Sequence, residues 1–366
     1  MNINSISSMK NKIQTATAIV VFMFVNNMIA QSNKDLYAGI EIGSKGVKVS
    51  VLDVDNIKRG NYEVKKFWTE NVGIAKGISI NGNLGEEEIL KTIKVVKENL
   101  KTIETEFKVP SENVFLIGSS GVAMAKNHKD LIGRIKTETG KDLDFIDASQ
   151  EGKMLMKGLI PPNKYKNSLV LDIGGGNTKG GYVDVSAMEE FVFFPVSLNY
   201  GSITLTEIVN KKTKSEEISD YNSKSFEYMP ELRAQTTAMF NSKPKAMDKS
   251  SVYFSGGAVW AFFTLSMNKT DENFCEFTMD DVISYDVVIK NNYTRYKQMA
   301  ATDKEIERVL NTYSQKHLIS GNNILITLLE NIPDVKNKKL YFSKEGQIAW
   351  LVSYIADRSK RVKKIM

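Results

Sequence analysis

Two carboxylates in this sequence stand at the end of an apolar run and directly before a glycine-rich turn. Asp172 follows the run at 169–171 and is followed by Gly174–Gly176. Glu41 lies before Gly43 in a stretch of the same kind. Consecutive glycines leave backbone N–H groups bare, so such a turn can wrap a phosphate oxygen closely. The acid would then hold a cation or a water molecule over that phosphate. The alternative is a glycine-rich hairpin that only turns the chain.

Repetition favours the phosphate interpretation. The stretch Tyr37–Val54 repeats the order found in Ser168–Val183: strand, carboxylate, glycine turn and strand. A third glycine turn, Ser255–Ala258, follows an aromatic-rich strand and precedes a predicted helix. One glycine turn is weak support, whereas three in this order are much stronger. The pattern predicts two related halves that face one ligand.

Composition excludes several classes of site. The 366 residues contain one cysteine and two histidines, His128 and His317, which lie far apart in sequence. One cysteine allows neither an intrachain disulfide nor a thiolate metal cluster. Two histidines exclude a metal site of three histidines, and a Ser-His-Asp triad is disfavoured. With 42% hydrophobic and 25% charged residues, the chain has the composition of an ordinary globular protein of two domains.

The N-terminal stretch predicts a secretory leader. Lys10 and Lys12 precede an uncharged stretch with an apolar centre at 18–25, and Ala30 offers a cleavage point. That layout is typical of a signal peptide over 1–30 and of export to a bacterial periplasm. An uncleaved membrane anchor is the alternative. The formal charge is +6; without the two leader lysines it becomes +4, which suits an anionic ligand and does not argue for nucleic acid.

Strands and helices alternate along the rest of the chain, which predicts an α/β fold with two parallel-containing sheets. Asn83 with Glu86 forms a capping-box-like start, and a helix is expected over Glu86–Phe107. Residues 212–245 predict surface helices and loops, and 262–300 give little signal. Two helices are expected at Asp303–His317 and Asn322–Ile332. Glu151 falls in the first turn of another helix, where a carboxylate often only complements the helix dipole.

The order of these motifs resembles the Ppx/GppA family, the exopolyphosphatases and guanosine pentaphosphate phosphatases of the actin-like ATPase superfamily. The two hairpins and the third turn occupy the superfamily's phosphate and nucleoside positions. Gly118–Asn127 is similar to the family's ATSALRxAKN segment, and Asp147–Lys153 to its ISGxEEAR segment. Ser197–Thr206 is similar to its SLPxGAVRLT turn, and Leu318–Leu328 and Lys339–Trp350 to its closing elements. The resemblance runs from about residue 36 to the end.

The resemblance implies two actin-like, ribonuclease H-like domains, each a mixed five-stranded sheet flanked by helices, with a cleft between them. The expected boundaries are 36–161 and 166–343, with a C-terminal helix in 344–366 that packs back on the first domain. It also implies hydrolysis of a terminal phosphoanhydride in polyphosphate or guanosine pentaphosphate. Glu151 would position or deprotonate water, and Glu41 and Asp172 would hold Mg²⁺. The expected phosphate-binding residues are Gly43, Ser44, Lys45, Gly174, Gly175, Gly176, Asn177 and Lys179.

Several residues depart from the family pattern. Arginines of the family motifs are replaced by Ala123 and Thr204, and a third falls near Gly73. Lys179 stands where the family has a glutamate, and Lys45 is a second new lysine. A lysine supplies a point charge where an arginine supplies bidentate hydrogen bonds. The two lysines either rebuild the phosphate site or are ordinary exposed lysines.

Three functions remain open at this point. The leading one is an exported phosphoanhydride hydrolase. The second is a degenerate, non-catalytic actin-like protein that binds a phosphorylated ligand or an envelope partner. The missing arginines favour it, and the retained Glu151 and Asp172 oppose it. A sugar-type kinase fits poorly, because exported space has no standing ATP supply. A homodimer is possible, and no stripe in the sequence decides it.

Overall fold

The computed structural model describes residues 36–56, 61–184, 191–267 and 274–359. The predicted leader at 1–30 lies outside the described residues, as does the end of the predicted C-terminal segment, 360–366. Within the described ranges, no helix is both long enough and apolar enough to cross a membrane.

Five strands form the first sheet, in the order β3-β2-β1-β4-β5. The first three strands are antiparallel neighbours, and β4 and β5 extend the sheet in parallel. This sheet is therefore mixed, as predicted. The strands are β1 Leu36–Ile42, β2 Gly46–Asn56, β3 Asn61–Asn71, β4 Val114–Gly118 and β5 Leu143–Phe145.

Helices cover this sheet on both faces. The amphipathic α2 packs Ile89, Val96 and Ile103 into the core beside β1 and β2. These positions recur at seven-residue intervals, so they share one helix face. The helices of the first half are α1 Ile78–Asn81, α2 Glu86–Thr105, α3 Ser120–Ala123, α4 His128–Thr139 and α5 Ala148–Leu159.

The second sheet has six strands, in the order β10-β11-β9-β6-β7-β8. It is also mixed, with β6, β9 and β11 parallel and the others antiparallel. The strands are β6 Ser168–Ile173, β7 Thr178–Asp184, β8 Val192–Leu198, β9 Ser251–Ser255, β10 Phe274–Phe277 and β11 Lys339–Ser343. The two mixed, helix-flanked sheets confirm the predicted fold class, and β10 gives the second sheet one strand more than expected.

Helices of the second half enclose the largest apolar core of the described chain. The longest is α7, whose 24 residues include Pro230. The helices are α6 Ser202–Asn210, α7 Ile218–Asn241, α8 Gly257–Ser266, α9 Met279–Asn291, α10 Thr294–Met299, α11 Lys304–Thr312, α12 Gln315–Glu330 and α13 Gly346–Arg358.

One apolar core is shared by both sheets. Leu52 of the first sheet and Val170 of the second belong to the same buried cluster as α5 and α13. Leu351 of α13 lies so close to Gly39 of β1 that a Cβ there would be 2.8 Å from its side chain. The C-terminal helix thus packs on a strand of the first sheet, as well as on α5, where the Ser353 hydroxyl donates to the Met154 carbonyl at 2.9 Å. The division into domains at 161–166 stays a prediction.

Some local expectations were wrong. Helix α2 begins at Glu86, as predicted, but its N-cap is Gly85, with no side-chain hydrogen bond, and not Asn83. The predicted helix Asp303–His317 is two helices, because the Ser314 side chain accepts a hydrogen bond from His317 N–H and starts α12 there. The stretch 212–245 contains one long helix, α7, where several surface elements were expected.

Candidate phosphate site between the two hairpins

The glycine turns of the two hairpins lie against each other. A Cβ on Gly176 would be 2.6 Å from Ser44 Oγ, and a Cβ on Gly175 would be 3.1 Å from Ser44 Cβ. A Cβ on Gly121 would also be 2.5 Å from Ser44 Oγ. Contacts this short leave room only for glycine. The hairpins therefore face each other, as their repetition predicted.

A cleft of about 610 Å³ opens beside these turns. Its wall contains residues of both sheets and, at its outer end, Trp260 and Tyr313 of the second half. Nine of the predicted site residues line it: Glu41, Gly43, Ser44, Lys45, Glu151, Asp172, Gly174, Gly175 and Lys179. The tertiary structure thus gathers residues that are up to 138 positions apart in sequence, from Glu41 to Lys179.

Gly176 and Asn177, which were also predicted to bind phosphate, do not line this cleft. Asn177 is buried, and its Nδ2 donates to the Ser120 hydroxyl at 3.0 Å. The Gly176 carbonyl accepts a hydrogen bond from the Thr204 hydroxyl at 2.9 Å. Thr204 stands where the family has an arginine, and here its hydroxyl stabilises the glycine turn through this hydrogen bond. These residues brace the turn that presents Gly174 and Gly175 to the cleft.

Each hairpin places its acid directly opposite a lysine. In the first, Glu41 of β1 pairs in register with Lys48 of β2. In the second, Asp172 of β6 pairs in register with Lys179 of β7. Side chains of directly opposed antiparallel residues point to the same face of the sheet. The repeat therefore extends beyond the turn to an acid and a lysine seven positions apart.

Lys179 bridges two acids. Its buried ammonium is 2.7 Å from Asp172 Oδ2 and 3.0 Å from Glu151 Oε1. Burial lowers the pKa of Lys179, but the Asp172 and Glu151 carboxylates outweigh burial and hold that pKa above its ordinary value. This lysine is charged and fixed, which excludes the interpretation of Lys179 as an ordinary exposed side chain.

Helix α5 approaches β7 closely enough to make that bridge because glycines meet at the contact. A Cβ on Gly152 would be 2.7 Å from the Gly180 carbonyl oxygen. Gly152 is the neighbour of Glu151, and Gly180 is the neighbour of Lys179, so the backbone contact brings the two charged side chains together. Asp147 and Gln150 form a capping box that fixes the start of α5 one turn before.

Glu151 is held in one orientation. Its carboxylate is buried, and Oε2 accepts hydrogen bonds from the Ser120 backbone N–H at 2.9 Å and from the Ser120 hydroxyl at 2.6 Å. Oε1 contacts Lys179. Three donors on a buried carboxylate compensate for its loss of water. Glu151 therefore does more than complement the dipole of α5. With Ser120 and Lys179 it forms a hydrogen-bonded network that joins the two halves.

The other two acids are also engaged. Asp172 Oδ1 accepts from the Ser255 hydroxyl at 3.3 Å, at the third glycine turn. Lys48 Nζ lies 3.0 Å and 3.2 Å from the two oxygens of Glu41. Burial raises the pKa of Glu41; Lys48 opposes this, and the nearby Glu151 carboxylate reinforces it.

Lys45 differs from Lys48 and Lys179, the two lysines that pair with the hairpin acids. Its Nζ lies 5.7 Å from the centre of the Tyr313 ring, and among the described residues no carboxylate forms an ion pair with it. Burial lowers the pKa of Lys45. A partly buried cation without an anion beside it is suited to receive an anionic group.

Backbone amides add to that surface. In the described chain, the N–H groups of Ser44, Lys45 and Gly175 donate to no protein acceptor, although Gly43 and Gly174 close their turns with hydrogen bonds to Gly46 and Asn177. Successive free amides in a turn form a concavity that binds anions. Together with Lys45 they provide a site for phosphate oxygens.

Comparison with known proteins shows similarity to one family of phosphatases over about half of the chain. The profile described as "Ppx/GppA phosphatase family" matches residues 54–235. Over that stretch the chain is similar to the Ppx/GppA phosphatases. The match begins after the first hairpin, so the assignment of Glu41–Lys48 to the site rests on the structure and on the internal repeat.

Individual relatives are distant. A guanosine-5'-triphosphate,3'-diphosphate pyrophosphatase of Photobacterium profundum is 26% identical over 179 residues, covering 47% of this chain and 33% of that protein. Retrograde regulation protein 2 of Saccharomyces cerevisiae is 23% identical over 182 residues, covering 47% and 30%. The match thus spans about a third of the length of these curated relatives.

Solved structures share the fold. A Ppx/GppA family member from Aquifex aeolicus has a TM-score of 0.61 at 21% identity, over 88% of this chain and 98% of that one. An exopolyphosphatase from Cytophaga hutchinsonii has a TM-score of 0.63 at 17% identity, over 87% and 98%. Two mixed sheets facing a cleft are therefore the architecture of Ppx/GppA structures.

The acids of this Ppx/GppA relative do not fit a divalent cation. Each oxygen of Glu41, Glu151 and Asp172 already contacts a protein donor. Two of these donors are the ammonium groups of Lys48 and Lys179, which would repel a metal ion. No group of three or more potential ligating side chains is found within the described ranges. Mg²⁺ held by Glu41 and Asp172 stays an untested prediction, and we derive no step through it.

Two site residues were missed at the level of sequence. Lys48 could have been found, because the acid and the lysine are seven positions apart in both copies, at Glu41–Lys48 and Asp172–Lys179. Ser120 had a weaker signal in the Gly118–Gly121 turn, whose similarity to the Ppx/GppA motif gave no role to that hydroxyl. Its contact with Glu151 depends on how α5 packs.

Proposed function

We propose that the cleft hydrolyses the terminal phosphoanhydride bond of a polyphosphorylated anion, such as polyphosphate or guanosine pentaphosphate. The observation that carries this proposal is the buried Glu151 carboxylate, oriented by Ser120 and Lys179 at the wall of the cleft. Similarity to Ppx/GppA phosphatases supports the reaction class.

The turns and Lys45 would bind the terminal phosphoryl group. The free amides of Ser44 and Gly175 would donate to its oxygens, and the Lys45 ammonium would neutralise part of its charge. The side chain of Tyr313 beneath Lys45 limits where that ammonium can lie. In this proposal the anion would lie between the two hairpin turns.

Glu151 would orient the attacking water. The water oxygen forms the new bond to phosphorus while the bridging P–O bond breaks, and the shortened chain leaves with the bridging oxygen. The water proton passes to Glu151 or to solvent, and inorganic phosphate is released. A loose phosphoryl-transfer transition state needs positioning and charge neutralisation more than a strong base. The Glu151 carboxylate, held by three donors, can provide the positioning.

A specific observation favours a second candidate, a non-catalytic binder of phosphorylated ligands. Every acid of the site is paired with a lysine, and Glu151 shares its lysine with Asp172. Such pairs stabilise a rigid cleft even if no reaction takes place. The binder would retain Lys45 and the free amides as its anion site.

Glu151→Gln separates the two candidates. The full-length protein is incubated with tripolyphosphate, long-chain polyphosphate or guanosine pentaphosphate, and phosphate release is measured. We expect release by the wild type and a loss of about 100-fold or more in Glu151→Gln. Glu216→Gln, an exposed glutamate paired with Lys316, is the control. Wild-type protein that binds a ligand without releasing phosphate would support the binder.

Lys45→Gln tests the anion site in both candidates. Losing a hydrogen bond to a charged group is expected to weaken tripolyphosphate binding by about 10- to 100-fold, measured by calorimetry. Lys304→Gln, which removes another lysine from the cleft wall, is the matched control and should have a smaller effect because that side chain is exposed. Equal effects of the two variants would place the anion elsewhere.

Export and self-association are also proposals. The leader features around Lys10 and Lys12 support secretion. N-terminal sequencing of the protein from fractionated cells tests cleavage near Ala30. Sedimentation tests whether the protein is a homodimer.

A further inference from the structure

The position of the Lys179 ammonium suggests a role beyond phosphate binding. It lies on the cleft wall between carboxylates from two different elements, Asp172 on β6 and Glu151 on α5. Oxygen ligands from separate elements that converge on one point are the usual surroundings of a hard divalent cation. Here the position between the two carboxylates is occupied by the ammonium group of Lys179.

The charge balance fits this placement. Two carboxylates buried side by side without a cation repel each other and lose their hydration, which is strongly unfavourable. The Lys179 side chain is 6% exposed, and those of Glu151 and Asp172 are 2% and 11% exposed. One buried ammonium within 3.0 Å of both acids removes the need for a mobile ion.

The remaining oxygens of the acids reinforce the assignment. Ser120 saturates Glu151 Oε2, and Ser255 donates to Asp172 Oδ1. A divalent ion would have to displace these neutral donors as well as the lysine. The neighbouring acid Glu41 has its own lysine, Lys48, so it is not available as a replacement ligand.

We propose that Lys179 is the resident cation of this cleft: its ammonium occupies the place of a divalent ion between Glu151 and Asp172, which bind no divalent metal while it is present. The claim concerns cation binding alone and holds whether or not the cleft hydrolyses its ligand. It predicts that removing the lysine, with the acids kept, creates a metal site.

The test measures metal binding directly, without any phosphorylated ligand. Full-length wild-type protein and Lys179→Gln are titrated with Mn²⁺, and free Mn²⁺ is followed by electron paramagnetic resonance. We expect no cleft Mn²⁺ in the wild type and one bound ion in Lys179→Gln, with affinity raised at least about tenfold. Mn²⁺ should also raise the Tm of Lys179→Gln and leave that of the wild type unchanged.

Lys48→Gln is the matched control. It removes the other lysine of the repeated acid–lysine pattern but frees only Glu41, and one carboxylate is not a metal site. We expect no gain of Mn²⁺ binding in this variant. A gain equal to that of Lys179→Gln would show that any lost positive charge attracts Mn²⁺, and would overturn the proposal.

Two further results would also overturn it. One is a wild-type protein that binds one Mn²⁺ and loses it in Asp172→Asn, a comparison that remains decisive even if Lys179→Gln does not fold. The other is a folded Lys179→Gln that binds no Mn²⁺. Because no substrate is present, neither result depends on the outcome of the phosphate-release assay.

Discussion

Ser120 holds the carboxylate of Glu151 with two hydrogen bonds, one from its backbone N–H at 2.9 Å and one from its hydroxyl at 2.6 Å. The same hydroxyl accepts from Asn177 of the second glycine turn. One serine thus connects the acid on α5 to the turn that faces the cleft. If Glu151 orients water, its hydrogen bonds with Ser120 determine the orientation of the carboxylate.

Ser120→Ala keeps the backbone donor and removes the hydroxyl. We expect a loss of about 1–3 kcal/mol in the free energy of unfolding, because a hydrogen bond to a buried charge disappears. Phosphate release should fall about tenfold, with little change in KM. Ser119→Ala is the control, because the neighbouring Ser119 side chain forms no hydrogen bond with Glu151 in the described part of the chain. Equal losses in both variants would contradict a positioning role for Ser120.

The glycine contact between α5 and β7 makes a second prediction. Gly152→Ala would place a Cβ 2.7 Å from the Gly180 carbonyl oxygen. We expect a loss of about 1–3 kcal/mol in stability, because the helix must move away from the strand. That movement would also lengthen the contact between Glu151 and Lys179, so phosphate release should fall.

Gly133→Ala is the matched control in another helix. Gly133 is an exposed position inside α4, and nothing lies within 4 Å of a Cβ there. Alanine favours the helix over glycine by about 0.5–1 kcal/mol. We therefore expect the opposite sign, a higher Tm, measured by calorimetry. If Gly152→Ala is also stabilising, the backbone contact does not determine the position of Glu151.

His317 gives a prediction for pH. Burial, together with the Lys45 ammonium, lowers the pKa of His317 to about 4. In the unfolded chain the imidazole binds a proton near pH 6.5, whereas in the folded chain it does so only near pH 4. The free energy of unfolding is therefore unaffected by this group above pH 6.5 and falls as the pH drops from 6.5 to 4. The loss is at most about 1.4 kcal/mol per pH unit, and solvent screening of this partly exposed ring reduces it.

Chemical denaturation at several pH values checks this sign. His317→Gln removes the titrating ring and keeps a polar side chain at this position of α12, so its stability should fall less between pH 6.5 and 4. Lys45→Gln should weaken the same dependence, because it removes one cause of the lowered pKa. A wild-type protein that gains stability on acidification through this range would contradict the argument.

A contact between the two halves makes the last prediction. Glu207 of α6 accepts hydrogen bonds from the Gly77 N–H at 3.1 Å and from the Ser79 hydroxyl, next to α1. Lys211 donates to the Ser79 carbonyl in the same place. These bonds join residues of the two halves that are about 130 positions apart in sequence.

Glu207→Ala removes the acceptor. We expect a stability loss of about 1–2 kcal/mol and faster hydrogen exchange of the Gly77 amide, because the two halves separate more often. Glu216→Ala, which removes an exposed glutamate, should leave that amide unchanged. Unaltered exchange at Gly77 in Glu207→Ala would mean that other contacts hold the halves together.

Local sequence determined the fold class because its signals are local. An apolar run of four to six residues ending in glycines predicts a strand and a turn wherever it occurs. The hairpins at Glu41 and Asp172 could therefore be recognised and paired. Helix caps were harder: the start of α2 at Glu86 was predicted, but its N-cap is Gly85, which makes no side-chain hydrogen bond, and not Asn83.

The candidate site was found from sequence only in part. The glycines and both hairpin acids could be named from residue type and order, and Glu151 from its place in a segment that resembles the Ppx/GppA family. Their partners could not, because Lys179 meets Glu151 only where Gly152 allows α5 to touch β7. A sequence records that a lysine is present, and packing decides whether it lies in water or between two acids.

The sequence by itself determined two repeated hairpins, each with an acid before a glycine turn, and from them it predicted a phosphate site. Only the tertiary structure decided the state of the acids. Register places Lys48 opposite Glu41 and Lys179 opposite Asp172, and both acids are buried where these lysines reach them. The physical reason is that buried charges must be compensated at contact distance, and contact distance is set by residues far apart in the chain.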